Sequence, residues 1–431
     1  MSELDVRTNP LLEVERRVQE RAAAEALDPG APGAGAAVRR LVDDEVARWR
    51  DEHRRGLRPF DLPDGDVVAE RAVRNLVGLG PLAPLLADDD VWEVMVNAPD
   101  AIFVKRHHGA DGYHDEVFHD EQHVVRTLTK VLDEATTAHR SLDPAEGLQD
   151  AQLDDGARLH IVHGDLARGG HTMVNIRKFT GVAYRSLGEL VQRGSLEASV
   201  ATFLAAAVRS RLSIVFAGAP GAGKTTLLSC CAAALEPTLR VVVAEEVFEV
   251  DVPLPNVASM QTRPARADRP AVDLRRLVAG FLRMAPDVAI VGEVRDREAL
   301  PLLLTLSSGV TGYTTIHAGS ARQALTRLRF ICQLADTSSD LPLSALNTLV
   351  SEAVDVVVHC ERGPDGPRVR EVVAVEDLTA GPDAAHLTVT PIFERVGEQI
   401  RWSGALPVRA AAALEAGGHP VRTLLGDGGA P

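Results

Sequence analysis

Gly218-Ala-Pro-Gly-Ala-Gly-Lys-Thr225 is the stretch on which the reading of this chain turns. It fits the pattern G-x-x-x-x-G-K-[ST], with an apolar run at 212–217 before it and a predicted helix over 226–235 after it. Glycines let the backbone wrap so that several N–H groups converge on one phosphate, and the helix N-terminus adds partial positive charge. Lys224 would reach the β- and γ-phosphates of a nucleotide, and the Thr225 hydroxyl would bind Mg²⁺. Gly218, Ala219, Pro220, Gly221, Ala222, Gly223, Lys224, Thr225 and Thr226 are therefore the predicted nucleotide-binding residues. A chance glycine-rich turn is the alternative, and a strand and a helix on its two sides argue against it.

Outward from this loop, from about residue 181, strand and helix patterns alternate, which predicts a parallel sheet with flanking helices. Strands are expected at 212–217, 240–244, 288–291, 314–317 and 354–359. The stretch Pro286-Asp-Val-Ala-Ile-Val-Gly-Glu293 is apolar until its last residue. In P-loop enzymes the acid at the tip of such a strand holds Mg²⁺ or its waters, which makes Glu293 a candidate metal ligand. Glu245, Glu246 and Glu249 follow another apolar run. A carboxylate at a strand's carboxyl end can activate an attacking water, whereas the plainer reading is a solvated loop. His317 closes the run Thr314-Thr-Ile-His317; a lone histidine there is more often structural than functional.

Before residue 181 the pattern differs. Residues 1–56 read as two helices around a Pro/Gly-rich linker at 28–35, either a mobile tail or a docking arm. Residues 57–180 read as an α+β domain. Within it a helix ends at Gly78-Leu-Gly80-Pro81, strands are expected at 91–96, 101–105, 158–162 and 171–177, and a helix over 124–135. Beyond residue 395 an Ala/Gly-rich tail with one helix is expected. The fold class is thus α/β, a P-loop domain (181–395) preceded by an α+β domain and a helical arm.

Composition narrows the function. The chain of 431 residues is 45% hydrophobic and 25% charged, as expected of a globular protein with a real core. No stretch approaches the ~20 apolar residues that cross a bilayer, and the first residues do not resemble a secretory signal. A cytoplasmic protein is expected. The net charge of −15 argues against general nucleic-acid binding, which needs a basic surface. The 4 cysteines form no C-x-x-C pair, so neither a zinc site nor a disulfide framework is predicted. Histidines 107, 108, 114, 119 and 123 lie among acids, but a polar loop offers few fixed ligands for a metal. Lysine is scarce, with Lys105, Lys130, Lys178 and Lys224 the only examples.

Taken in order, these motifs resemble the secretion ATPases of bacterial type II and type IV systems, most closely the CpaF-type ATPases of tight-adherence (Tad) pilus assembly. The loop at 218–225 resembles their Walker A motif, Val243-Ala-Glu-Glu-Val-Phe-Glu249 their Asp box, 287–295 their Walker B ending in Gly-Glu-Val-Arg, and 307–320 their His box. Upstream, 78–86, 93–99, 152–158 and 175–179 resemble the family's N-terminal domain. The resemblance implies a RecA-like ATPase acting as a homo-hexamer on ATP and Mg²⁺, recruited to an inner-membrane platform protein. It also implies roles: Glu245 as general base, Glu249 supporting Mg²⁺ with Thr225 and Glu293, and His317 near the γ-phosphate. Arg158, Arg177 and Arg263 would be phosphate-reaching cations. Two positions depart from the pattern, Glu246 where the family has Asp and Val310 where a histidine follows Gly309. A DNA-directed motor and a non-catalytic nucleotide-gated scaffold are the competing readings.

Overall fold

A computed structural model describes residues 9–29, 31, 33–62, 64–107, 109–134, 142–178, 184–263, 265, 269–335, 341–363, 366–377 and 387–426. Gly30 and Pro32 of the predicted linker, His108 of the histidine-rich stretch and Phe179 of the last upstream motif lie outside them. The chain divides into two compact units, Met1–Thr180 and Gly181–Pro431.

Helices Pro10–Ala24 and Gly35–Arg54 begin the first unit. Asn9 caps the first of them, accepting from the Leu11 N–H, with Pro10 at the position where a missing donor costs nothing. They do not form a separate arm, contrary to expectation. Val14, Val18, Leu41 and Trp49 share one core with Leu62 and with Ala69 and Ala72 of the helix Gly65–Val77. An apolar helical stripe needs a covering surface, and this third helix supplies it. A polar contact adds to the docking: the buried Glu15 carboxylate lies 2.7 Å from His119 Nε2 and accepts from Asn75 Nδ2 at 2.8 Å. Next to it, burial and the neighbouring His119 draw the pKa of His123 down to about 3, which leaves that ring neutral. His119 and His123 of the histidine-rich stretch thus go into packing, whereas His107 is exposed.

The sheet of this unit runs β3-β2-β1-β6-β5-β4, with every pair antiparallel. Its strands are β1 (Val91–Ala98), β2 (Ala101–Arg106), β3 (Gly112–Tyr113), β4 (Leu148–Gln152), β5 (Arg158–Val162) and β6 (Met173–Arg177). Alternation puts Val94, Ile102, Leu159, Ile161, Val174 and Ile176 in a core shared with Leu128 and Leu132 of the helix Glu121–Glu134. Two of the rare lysines hold helix ends. Lys130 donates to the Val77 carbonyl, and Lys178 donates to the carbonyls of Leu85 and Asp88 at 3.0 and 2.6 Å, where the helix Leu82–Ala87 stops.

The second unit carries a sheet ordered β15-β14-β13-β12-β7-β11-β10-β8-β9 among the described residues. Its strands are β7 (Ile214–Gly218), β8 (Val241–Glu245), β9 (Val257–Gln261), β10 (Val288–Val294), β11 (Thr311–Ile316), β12 (Val356–Gly363), β13 (Gly366–Val375), β14 (Val389–Val396) and β15 (Gln399–Trp402). From β12 through β9 neighbours run parallel, and β13 to β15 add antiparallel pairs. β7, β8 and the first halves of β10 and β12 are nearly continuous apolar runs, buried on both faces of the sheet.

The expected separate tail is corrected here. Val396 ends β14, and β15 extends the same sheet. Buried Arg395 donates to Glu197 Oε1 at 2.6 Å and to the Val369 carbonyl at 3.0 Å. Glu376 accepts the N–H groups of Val408 and Arg409 at 3.0 and 2.9 Å, which caps the helix Val408–Ala416. The Arg409 side chain then binds Asp355 Oδ1 at 2.8 Å, and Leu414, Val421 and Leu425 are buried. Ala-rich composition hid a segment fastened by isolated long-range charges.

One core residue has an unmet requirement. Tyr313 on β11 is fully buried, and its hydroxyl has no hydrogen-bond partner among the described residues. Leaving a buried hydroxyl unsatisfied costs about 1–3 kcal/mol. Tyr313→Phe should therefore raise stability by about 1 kcal/mol. A urea titration in which the variant unfolds at lower denaturant would show that the hydroxyl is bonded in solution.

Candidate functional site

Strands β7, β11, β10 and β8 lie side by side, and their carboxyl ends deliver Gly218, His317, Glu293 and Glu245 to one edge of the sheet. In an open parallel sheet this edge is where ligands bind. β7 is wholly buried and passes into the glycine loop, and the helix Lys224–Ala232 starts at the loop's lysine. The first N–H groups of that helix have no intrahelical acceptor, and an anion beside the helix N-terminus would satisfy them. Two glycines are needed for reasons of space. A Cβ on Gly218 would sit 2.4 Å from the Cys360 carbonyl oxygen of β12, and one on Gly223 (φ +82°) would sit 2.8 Å from Pro367 of β13.

The lysine side chain is buried. Lys224 Nζ donates to the Ala219 carbonyl at 2.9 Å and lies 3.3 Å from His317 Nδ1. The same ring nitrogen is 3.2 Å from the Gly218 carbonyl, while Nε2 lies 2.8 Å from Glu293 Oε1. His317 thus links the glycine loop to the tip of β10. Glu293 Oε2 in turn accepts from Arg295 at 2.7 Å, and the other amino group of Arg295 reaches Glu246 Oε2 at 3.0 Å. Burial pushes the pKa of Glu293 up, but His317 and Arg295 outweigh it and bring it to about 2, so the group is ionised.

Glu245 is placed differently from a solvent-facing base. It is 2% exposed, and its Oε1 accepts the N–H groups of Glu249 and Val250 at 3.0 and 2.9 Å, bracing its own loop. Its side chain lies against Gly292, where a Cβ would stand 2.9 Å from both Glu245 Cγ and Oε1. Glu249 carries the first N–H of that brace, and its charge acts on Arg295. Val310 packs against the core.

The predicted arginines are divided. Arg263 exchanges backbone hydrogen bonds with Val272 and donates from its side chain to the Pro270 carbonyl at 3.1 Å, within its own loop. Arg158 and Arg177 belong to the first unit, directly opposite one another on β5 and β6, with Glu93 of β1 next in the same row. This row lies on the face of the sheet opposite Leu159, Ile176 and Val94. Sequence reasoning placed Gly292 and Arg295 in the Gly-Glu-Val-Arg ending but gave neither them nor Glu298 a role of its own; the Glu298 carboxylate accepts the N–H groups of Arg295 and Asp296 at 2.5 and 2.8 Å. The signal available was their position just before and after Glu293.

The residues fit a magnesium ion. Glu293 Oε1 is buried without a well-aligned donor among the described residues, its carboxylate is ionised, and Thr225 offers a hydroxyl in the first turn of the adjoining helix. No group of three or more His, Cys, Asp or Glu among the described residues converges as a ready cage. Magnesium does not need one, because it takes one or two protein oxygens and completes its shell with phosphate and water.

Gly292→Ala should force Glu245 off its seat. Overpacking costs about 1–3 kcal/mol, and a displaced carboxylate should lower nucleotide turnover about 10-fold or more. Unchanged turnover would mean that Glu245 can move without consequence.

Comparison with known proteins gives a consistent outcome. The family model described as type II/IV secretion system protein matches residues 75–376. The conjugal transfer protein TrbB of Rhizobium radiobacter is 34% identical over 324 residues, covering 71% of this chain and 91% of that protein. The type IV secretion system protein PtlH of Bordetella pertussis is 30% identical over 335 residues, covering 72% and 97%. Among solved structures, the VirB11 ATPase of the Brucella suis type IV secretion system, crystallised with sulphate, matches at 27% identity over 71% of this chain and 97% of that one, with a TM-score of 0.37.

Proposed function

This chain belongs to the type II/IV secretion system protein family, and from that premise we propose that it is a magnesium-dependent ATPase. It works as a homo-hexameric ring, and its hydrolysis drives assembly of a Tad-type pilus or protein secretion through an inner-membrane platform protein. The observation that carries the reading is the contact line at the strand tips, Lys224 to His317 to Glu293, set beside a glycine loop that admits no Cβ at two positions.

The division of labour follows from charge. Lys224 and the loop N–H groups hold phosphate, and displacing Lys224 from the Ala219 carbonyl is the change that nucleotide entry requires. Thr225, Glu293 and Glu249 would hold magnesium, directly or through its waters, and the ion when bound would offset the charge of the phosphates. Glu245, whose Oε1 braces its loop, is the carboxylate that would orient the attacking water. Arg158, Arg177 and Arg263 supply cations to the transferred phosphoryl group, and His317 reports its presence to Glu293. Glu246, the longer acid at the Asp position, serves Arg295 here. Among the described residues no helix is long and apolar enough to cross a membrane, and we place the protein at the cytoplasmic face, held there by its partner. The conjugal-transfer name of one relative supports a second target, a conjugative system.

Lys224→Ala should abolish ATP hydrolysis while leaving the melting temperature within a few degrees; persistence of wild-type turnover would end the ATPase reading. The two acids should separate as well. Glu245→Gln keeps an acceptor for the loop and should bind ATP but turn over slowly, whereas Glu293→Gln should raise the Mg²⁺ needed for half-maximal rate. The reverse pattern in a Mg²⁺ titration would exchange the assignments. If the ring completes the site, Arg177→Ala should cut turnover by about two orders of magnitude with little loss of stability. Rate per subunit of the unaltered protein should also fall on dilution as light scattering reports a falling mass. A flat rate together with an active Arg177→Ala would leave an ATPase that needs no ring.

A further inference from the structure

We propose that Arg295 is a positioning residue that clasps the tips of β8 and β10, with Glu246 as its anchor and Glu293 as the group it holds in place. The inference rests on the ATPase reading and extends it. β8 and β10 are adjacent parallel strands, paired from Val241 with Val288 to Ala244 with Val291, and beyond those pairs no ladder bond holds their ends together. Arg295 spans that gap. One amino group binds Glu293 Oε2 at 2.7 Å and the other binds Glu246 Oε2 at 3.0 Å. A planar guanidinium fixes the direction of both bonds at once, whereas an ammonium would act as a single point charge. The arginine is itself anchored from behind, because buried Glu298 accepts its N–H at 2.5 Å.

The consequence concerns which oxygen of Glu293 is presented. With Oε2 taken by Arg295, Oε1 is turned toward His317 and the phosphate loop. Without the clasp the carboxylate could rotate, and Oε1 would no longer be held at that edge. The extra methylene of Glu246 then acquires a purpose: it lets the acid at the family's Asp position extend to Arg295. A salt bridge between groups 44% and 49% exposed adds little stability by itself, so an effect on turnover is separable from an effect on folding.

The test is steady-state ATPase kinetics on the full chain, with nucleotide affinity from a fluorescent ATP analogue and thermal melting in parallel. Arg295→Ala should lower kcat about 10-fold or more while KM for ATP moves less than about 2-fold. Arg295→Lys should recover only part of that loss. Glu246→Ala should show a smaller defect of the same kind, and the double variant should be no slower than Arg295→Ala alone, because the second partner has nothing left to anchor. Wild-type kcat in Arg295→Ala, full recovery in Arg295→Lys, or losses that multiply in the double variant would each overturn the clasp. So would a melting shift large enough for the unfolded fraction to account for the lost rate. Lys224→Ala, measured alongside, tells the failures apart. Activity surviving there removes the ATPase reading and the clasp with it, whereas activity lost there but intact in Arg295→Ala removes the clasp alone.

Discussion

A single imidazole joins the two halves of the candidate site. His317 lies within 3.3 Å of Lys224 and 2.8 Å of Glu293, so the glycine loop and the tip of β10 are in contact through one ring. The arrangement is possible because β7, β11 and β10 are parallel neighbours, so their carboxyl ends open on the same edge. Charges along that edge alternate in sign: Lys224, then Glu293 across the histidine, then Arg295, then Glu246. Each charged group is flanked by its opposite, which is how so many ionisable groups can share a partly buried place.

How much of this was visible beforehand depended on the range of the signal. The glycine loop, the apolar strands and the acids at their ends are local patterns, and a reader of residues 212–317 can find them without a structure. Gly292 is the counterexample within that stretch. Its need to be glycine comes from Glu245, a residue from another strand, and adjacency in the sheet is not written in spacing. β9 was missed because Val257-Ala-Ser-Met-Gln261 is a half-buried edge strand with neither clear alternation nor a continuous apolar run. The segment after residue 395 misled for a different reason. Alanine-rich sequence looks unanchored when its fastenings are Arg395 to Glu197 and Arg409 to Asp355, pairs separated by 198 and 54 residues.

The first helices show the same limit from the other side. Their spacing revealed helices but not what covered them, since the partners Ala69 and Ala72 are small and leave a weak trace in any pattern. Glu15, buried against Asn75 and His119, reads as a surface acid until its surroundings are seen. Buried polar groups of this kind fix how elements dock more than they add to stability.

The scarcity of lysine has a practical side. Lys130 and Lys178 are engaged at helix ends, Lys224 is sunk in the glycine loop, and Lys105, lying 3.5 Å from Glu93 and over the Trp92 ring, is the most accessible of the set at 38% side-chain exposure. An amine-directed reagent therefore meets a protein with almost no targets. Acylation or amine cross-linking of side chains would report first on Lys105 beside its tryptophan and on the partly exposed Lys130, with Lys224 shielded in the glycine loop, against a background of arginines that do not react.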